Sequence, residues 1–311
     1  MAITWIGPET RKRRTRRRRP EAERSREIAA DTPHLRLLTL NVAHARREAR
    51  HQALLAPPAL RQNLATIAGV LRRERPDVVA LQEADGPSAW SGGFDHVSTL
   101  AKLAGFDHAF RGEHNPFSLG RFDLSSGTAL LSRLALSEPR SRAFLDNWRD
   151  TKGFVAATVA PEGLGGTSVD VVSIHLDFLA DRVRRRQVEQ LVEAFRDRER
   201  PLVVMGDFNC EWSERRRSLD LLRRELRLRP AEASAHATFP SWRPMVRLDW
   251  ILVSEELGFV GYDTLPDRLS DHLGVVAEIA LRAPESRAAL PEPATAAAAA
   301  TPRRRFLRRR A

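Results

Sequence analysis

The sequence predicts an α/β fold in which packed β-sheets are covered on their outer faces by helices. Three observations predict it. Apolar runs rich in β-branched residues recur through the middle of the chain. Segments of helical period are interleaved with them. Several of the runs lack polar alternation, the pattern of sheets buried on both faces.

The strand runs extend from Leu35 to Leu40, Asp77 to Leu81, Ala129 to Leu131, Phe154 to Val159, Val169 to Ile174, Leu202 to Met205, Leu248 to Val253 and Gly274 to Ala280. Leu60, Leu64, Ile67 and Leu71 recur at i, i+4, i+7 and i+11, which predicts one amphipathic helix that Pro76 closes off. Val188, Leu191, Val192 and Phe195 predict a second, ending before Pro201. No internal repeat of fixed period is present.

Charge divides the chain into three parts. The formal net charge is +11, yet residues 1–33 and 284–311 each contribute +5, leaving about +1 for residues 34–283. The first tail carries an Arg block from Arg11 to Arg19, and the last combines Pro-Glu-Pro, an alanine run and Arg303-Arg-Arg-Phe306-Leu307-Arg308-Arg-Arg. Like-charge blocks with little to bury are expected to be disordered tails, or clamps on nucleic acid or on an anionic membrane surface. The near-neutral middle is long enough for one large α/β domain or two small ones, and its balance weakens the case for a nucleic-acid face. The single cysteine, Cys210, rules out an internal disulfide. No stretch approaches the roughly 20 apolar residues of a spanning helix, and charge follows rather than precedes the short apolar start. A cytoplasmic monomer without a transmembrane segment is expected.

Seven short polar motifs stand at the ends of apolar runs: Leu-Asn41, Gln82-Glu83, Gly127-Thr128-Ala-Leu-Leu-Ser132-Arg133, Ser173-Ile-His175, Gly206-Asp207-Phe-Asn209, Arg247-Leu-Asp249-Trp250 and Ser270-Asp271-His272. Carboxylates, amides and imidazoles are costly to desolvate unless paired or bound to an ion, so convergence on one site is the economical explanation. A carboxylate such as Glu83 at a strand end suits a hard cation like Mg²⁺, although it also suits a helix N-cap or a surface ion pair. Asp207 can orient or deprotonate a water and Asn209 can donate to charge building on phosphorus, if the extended chain continues through both. An Asx-type turn is the alternative there. Asp249 or Asp271 can hold one imidazole nitrogen of His272 and so set which tautomer faces a substrate. His175 is either a phosphate donor or a strand-end histidine satisfied by backbone.

In their number and order these motifs resemble the endonuclease/exonuclease/phosphatase superfamily, from about Leu35 to Leu281. The resemblance implies a four-layer α/β sandwich, two packed mixed β-sheets with helices on the outer faces. It also implies Mg²⁺- or Mn²⁺-dependent hydrolysis of a phosphoester by an activated water. On that pattern Asn41 and Glu83 lie at the metal, with Asp271 as a further ligand or a group just outside it. Asp207 positions or activates the water, Asn209 contacts the scissile phosphate, His175 donates to it, and His272 pairs with Asp249. Ala43 stands where abasic-site endonucleases have a carboxylate, and those enzymes lack the strand-end histidine. The chain therefore looks closer to the broad bacterial hydrolase group.

Loops on a rigid scaffold set specificity. The candidates are His108 to Phe117, Trp148 to Gly153, and Thr238 to Pro244, the last with Trp242 and Arg243. Trp212 and Trp242 can stack on a base or pack locally. The Arg tails and these tryptophans favour a nuclease-type phosphodiester substrate. The neutral domain and the Arg-Arg-Phe-Leu-Arg-Arg tail favour a phosphatase or a phospholipase C-type hydrolase of a phosphoinositide or sphingolipid. A binding or tethering module on the same scaffold would have lost one or more of these side chains, and all are present.

Overall fold

The structure is a computed structural model that describes residues 34–282, apart from 89–90, 113, 115–116, 120–121, 145–151, 212–216 and 232–235. Both tails therefore lie outside the described residues, as do Trp148 and Trp212.

In chain order the strands are β1 (Leu35–Asn41), β2 (Val78–Asp85), β3 (His108–Arg111), β4 (Phe117–Leu119), β5 (Phe122–Leu124), β6 (Ser126–Ser132), β7 (Ser137–Ala143), β8 (Gly153–Val159), β9 (Val169–His175), β10 (Leu202–Asp207), β11 (Arg229–Pro230), β12 (Asp249–Val253), β13 (Leu257–Thr264) and β14 (Val275–Leu281). The helices are α1 (Pro57–Glu74), α2 (His96–Ala104), α3 (Asp181–Phe195) and α4 (Arg217–Leu226). One sheet runs β13-β14-β1-β2-β6-β3 and the other β11-β12-β10-β9-β8-β7. Each holds one parallel pair, β1 with β2 and β9 with β10, among antiparallel neighbours.

Side-chain parity explains why the strands read as unbroken apolar runs. Successive residues of a strand face opposite sides. Leu35 and Leu37 of β1, Val78 and Ala80 of β2, Val171 of β9, Val203 and Met205 of β10 and Ile251 of β12 fill the layer between the sheets. Their neighbours Leu38, Leu40, Val79 and Leu81 pack outward against Leu64, Ile67 and Leu71 of α1 and Val97 and Leu100 of α2. On the far side Val172, Ile174 and Val204 pack against Val188 and Leu191 of α3 and Leu222 of α4. Three apolar layers separate four structural ones. The result is a mixed two-sheet sandwich with helices outside.

Local signals set the helix ends. Pro57 and Pro58 occupy the first turn of α1, where a missing N–H costs nothing, and Arg75 ends it in the left-handed region one residue before Pro76. Asp95 caps α2 by accepting from the Ser98 N–H at 2.6 Å, and Gly105 terminates it. Two expectations need correction. The segment from His108 to Phe117 is not wholly a loop, because β3 forms at its start as the edge strand pairing with β6. The strand before β14 is not the one that Arg247 and Asp249 open. β13 intervenes, so Asp249 lies in one sheet while β14 lies in the other.

Candidate active site

The apolar layer between the sheets ends at the C-terminal ends of the two parallel pairs, and there its alternation continues with polar residues. Asn41 follows Leu35 and Leu37 at the same parity, His175 follows Val171 and Ser173, and Asp207 follows Val203 and Met205. Asp249 opens β12 at the parity of Ile251, directly opposite Asp207 in register. Asp207 also stands in register with His175 on β9. Each is at least 95% buried, so their polar atoms must find partners at this rim.

Those partners join the sheets. Asn41 Nδ2 donates to Asp207 Oδ2 at 3.0 Å. Gln82 Nε2 donates to Ser173 Oγ at 3.1 Å, and Ser173 Oγ donates to the Leu81 carbonyl at 3.0 Å. His272, just before β14, donates from Nδ1 to Asp249 Oδ2 at 2.8 Å. Its loop is pinned by Ser270, whose Oγ donates to the Asn41 carbonyl at 2.6 Å and accepts from the His272 N–H at 3.0 Å. Each bond crosses from one sheet or its loops to the other, or fixes a group that does.

Glu83 breaks the parity rule. Gln82 takes the position facing the other sheet, so a regular strand would aim Glu83 at the helices. Instead the pairing of β2 with β6 shifts register between Leu81 and Ala84, and Glu83 adopts φ 52°. This bulge turns the carboxylate into the cleft, where Glu83 Oε1 lies 4.0 Å from His175 Nε2. A non-glycine residue in the left-handed region costs about 1–2 kcal/mol, strain that accumulates at functional sites.

The carboxylates occupy contrasting environments. Burial pushes Asp207 up to about 7, assisted by the Asp249 charge and opposed by His272 and the Asn41 hydrogen bond. Burial also acts against ionised Glu83, but His44, Lys152, His175 and His272 outweigh it and hold the carboxyl down at about 2. Burial disfavours the His272 imidazolium, yet Asp249 and then Asp207 raise it to about 10. His175 moves the other way, held neutral by burial and by Lys152. Lys152 Nζ lies 3.5 Å from His175 Nδ1. An ammonium only donates, so Nδ1 carries the lone pair and Nε2 the proton. His175 thus presents an N–H to Asp207 Oδ2, 3.5 Å away.

Asp207 and Asn209 do not share an extended strand. β10 stops at Asp207, Asn209 takes φ 50°, and its N–H donates to Asp207 Oδ1 at 2.9 Å, the Asx-type turn. One Asn209 amide hydrogen goes to the Leu176 carbonyl at 2.9 Å. Gly206 supplies the turn's approach: at φ 150° it lies where a Cβ would press into the Ile174 carbonyl of β9.

Asn41, Glu83, His175, Asp207, Asn209, Asp249 and His272 therefore meet at one end of the sandwich. Asp271 faces differently, its carboxylate paired with Arg46, and it acts on His272 through charge. Trp242 is 55% exposed and Arg243 is exposed on the turn at 241–243. That turn is tied to the site, because the Ser241 N–H donates to the Asp271 carbonyl at 2.8 Å and the Phe239 ring lies 4.9 Å from the His272 ring. Trp212 lies outside the described residues.

Sequence reasoning did not find His44, Asp85 and Lys152. His44 Nδ1 lies 2.8 Å from Asp85 Oδ1 and its Nε2 3.3 Å from Glu83 Oε2. Burial lowers the His44 pKa, but Asp85 and Glu83 raise it by more. Lys152 carried one faint signal, being one of three lysines in a chain that otherwise uses arginine. A compact ammonium serves where a planar guanidinium does not.

The donor set fits a divalent cation. Asp207 and Asp249 bring carboxylate oxygens within 4.8 Å of each other beside the His272 ring, and Asp249 Oδ1 is buried with no hydrogen-bond partner among the described residues. The Asn41 carboxamide oxygen accepts from the Ala43 N–H at 2.9 Å.

Fold and site together define a metal-dependent hydrolase on a two-sheet sandwich. Residues 38–272 match the model of the Endonuclease/Exonuclease/phosphatase family, and the chain belongs to that family. No curated protein matches the sequence. Among solved structures, the chain is similar to an endonuclease/exonuclease/phosphatase from Beutenbergia cavernae DSM 12333, with 23% identity, TM-score 0.61, and 80% of this chain and 72% of that one covered. It is also similar to the human Nocturnin catalytic domain with bound sulfate anion, with 21% identity, TM-score 0.60, and 80% and 95% covered. The Bacteroides thetaiotaomicron mannosyl-6-phosphatase matches with 15% identity, TM-score 0.61, and 79% and 99% covered. These likenesses bear on fold. The protein is a phosphoester hydrolase that depends on a divalent metal. No helix among the described residues is long and apolar enough to cross a membrane.

Proposed function

We propose that residues 34–283 form a catalytic domain that hydrolyses a phosphodiester, nuclease-type substrates before others, by in-line attack of a water that Asp207 deprotonates. The observation that carries this reading is the surroundings of Asp207 Oδ2: Asn41 Nδ2 at 3.0 Å, His175 Nε2 at 3.5 Å and His272 Nε2 at 3.7 Å. A carboxylate titrating near neutrality is a competent base, and the donors beside it offset charge that develops on a phosphoryl group.

Glu83 and Asn41 would hold Mg²⁺ or Mn²⁺, and Asp271 would add charge near them. The cation supplies charge neutralisation at the phosphate oxygens. His272, kept protonated by Asp249, donates from Nε2 to the phosphate. His175 and the second amide hydrogen of Asn209 donate as neutral partners, and Lys152 fixes the His175 tautomer that does so.

Trp242 and Arg243 support a nucleic-acid substrate, since an exposed indole stacks on a base and a neighbouring guanidinium meets its phosphate. Phe178 and Leu179, 57% and 76% exposed just past His175, favour a second reading as a phospholipase C-type hydrolase or a phosphatase. The basic tails would then serve nucleic acid in the first case and an anionic membrane surface in the second. A cytoplasmic monomer suits the first.

The test is turnover of a fluorogenic bis-phosphodiester with Mg²⁺, Mn²⁺ or chelator, followed by plasmid DNA, RNA, phosphoinositide and sphingomyelin in parallel. Metal-dependent cleavage with nucleic acid leading is expected. Sphingomyelin or phosphoinositide leading would hand the substrate to the second reading, and no metal-dependent turnover would overturn both.

A further inference from the structure

The loop after β1 is the most distorted segment near the cleft. Ala43, His44 and Ala45 take φ values of 45°, 55° and 58°, three consecutive non-glycine residues in the left-handed region. Histidine tolerates this conformation but the two alanines do not favour it, so the surroundings must impose it. What the turn achieves is the placement of one imidazole. Asn63 Nδ2 donates to the Ala45 carbonyl at 2.8 Å from α1, and Asp85, fully buried at the end of β2, takes the His44 ring at Nδ1.

A carboxylate only accepts, so Nδ1 carries the proton toward Asp85, and in the neutral ring the Nε2 lone pair faces Glu83. His175, on the other side of Glu83, has the opposite polarity, with its proton on Nε2. Of the two imidazoles flanking Glu83, His44 is the one backed at Nδ1 by a buried carboxylate, Asp85 Oδ1 at 2.8 Å. Two ligands on adjacent corners of an octahedral ion, each roughly 2.1 Å from it, lie about 3 Å apart. His44 Nε2 and Glu83 Oε2 are 3.3 Å apart. A ligating histidine ordinarily gives its other ring N–H to a carboxylate, and Asp85 is that carboxylate.

We propose that His44 is a metal ligand, its Nε2 and the Glu83 carboxylate sharing one divalent cation, with Asp85 as the positioning residue behind it. The inference rests on Glu83 lying at the cation. A nitrogen in the ligand set shifts preference from Mg²⁺ toward Fe²⁺, Ni²⁺ or Zn²⁺, because imidazole suits the softer ions.

The experiment uses the full chain loaded with Mn²⁺. Affinity is read by electron paramagnetic resonance, and nitrogen coordination by the ¹⁴N modulation of the electron spin echo. His44→Asn is the main variant, since asparagine tolerates the left-handed conformation and removes the ring. We expect ¹⁴N modulation in the wild type, its loss in H44N with at least a tenfold weaker Mn²⁺ affinity, and its retention in H175N. Asp85→Asn should weaken affinity about tenfold while modulation persists. Modulation absent from the wild type, or surviving in H44N, overturns the proposal; Mn²⁺ binding that E83Q still abolishes would leave the functional reading standing. Mn²⁺ binding that E83Q does not alter sinks both.

Discussion

Replacing Asp207 by asparagine should make the protein inactive and more stable at once. Asp207 is 1% exposed, and burial raises it from 3.8 to about 7. At about 1.36 kcal/mol per unit, the ionised group costs the folded state about 4 kcal/mol relative to the unfolded chain. The sign follows from the folded value lying above the unfolded one. The group's contribution is fully present below pH 3.8 and is lost as pH rises through about 7. Asparagine keeps the shape without the charge. It gives up one of the two bonds now accepted, from Asn41 Nδ2 and from the Asn209 N–H, and deprives His272 of a neighbouring anion. Those losses amount to about 2–3 kcal/mol, so a net gain of about 1–2 kcal/mol remains at pH 8. For a domain of this size that is a rise of about 2–8 °C in Tm. Thermal melts of both proteins in EDTA at pH 8 and pH 5.5 measure it, with turnover assayed alongside. D207N should melt higher at pH 8, the gap should narrow at pH 5.5, and turnover should fall by about 10²–10⁴. A variant that melts below the wild type at pH 8, or a gap indifferent to pH, would refute the burial argument.

Three further outcomes are expected. Asp249→Asn removes the main support of the His272 imidazolium; because that pKa is raised to about 10, its stabilisation is complete below pH 6.5 and lost as pH climbs through 10. Urea unfolding should therefore show the larger loss at pH 6 than at pH 10, with turnover down about 10²–10⁴, and a rate within threefold of wild type would remove His272 from the chemistry. His114, 1% exposed, is held down at about 4 by burial, so its contribution is complete above pH 6.5 and about 3 kcal/mol is lost as pH falls toward 4. H114Q should flatten that slope in urea unfolding at pH 7.5 and 5, and parallel slopes would show that burial of this ring is not the cause. Gly206→Ala drives a methyl into the Ile174 carbonyl at a backbone angle that L-residues avoid, and calorimetry should record a loss of at least about 2 kcal/mol.

Much of the fold was legible because its signals are local. β1, β8, β9, β10 and β14 begin and end within one or two residues of their apolar runs, and α1 declares its face through Leu60, Leu64, Ile67 and Leu71. α4 was hidden, because Leu219, Leu222 and Leu226 supply its buried stripe amid arginines. β7 and β13 escaped notice because β7 is polar and mostly exposed, while Gly258 and Gly261 interrupt the apolar residues of β13, which is chiefly half-buried. His44 was invisible for a different reason: nothing in Ala-His-Ala announces three left-handed residues.

By itself the sequence determined which chemical groups terminate the strands and in what order they come. That follows because residue type and parity are properties of short stretches of chain. Only the tertiary structure decided which of those groups meet. The Asp249–His272 and Asn41–Asp207 pairs exist because two sheets close on a shared apolar layer, bringing together residues separated by 23 and 166 positions. Asp271, beside His272 in the chain, is turned to Arg46, while Glu83 reaches the cleft through a bulge. Distance and direction across a core are set by packing between segments, and no single segment encodes them.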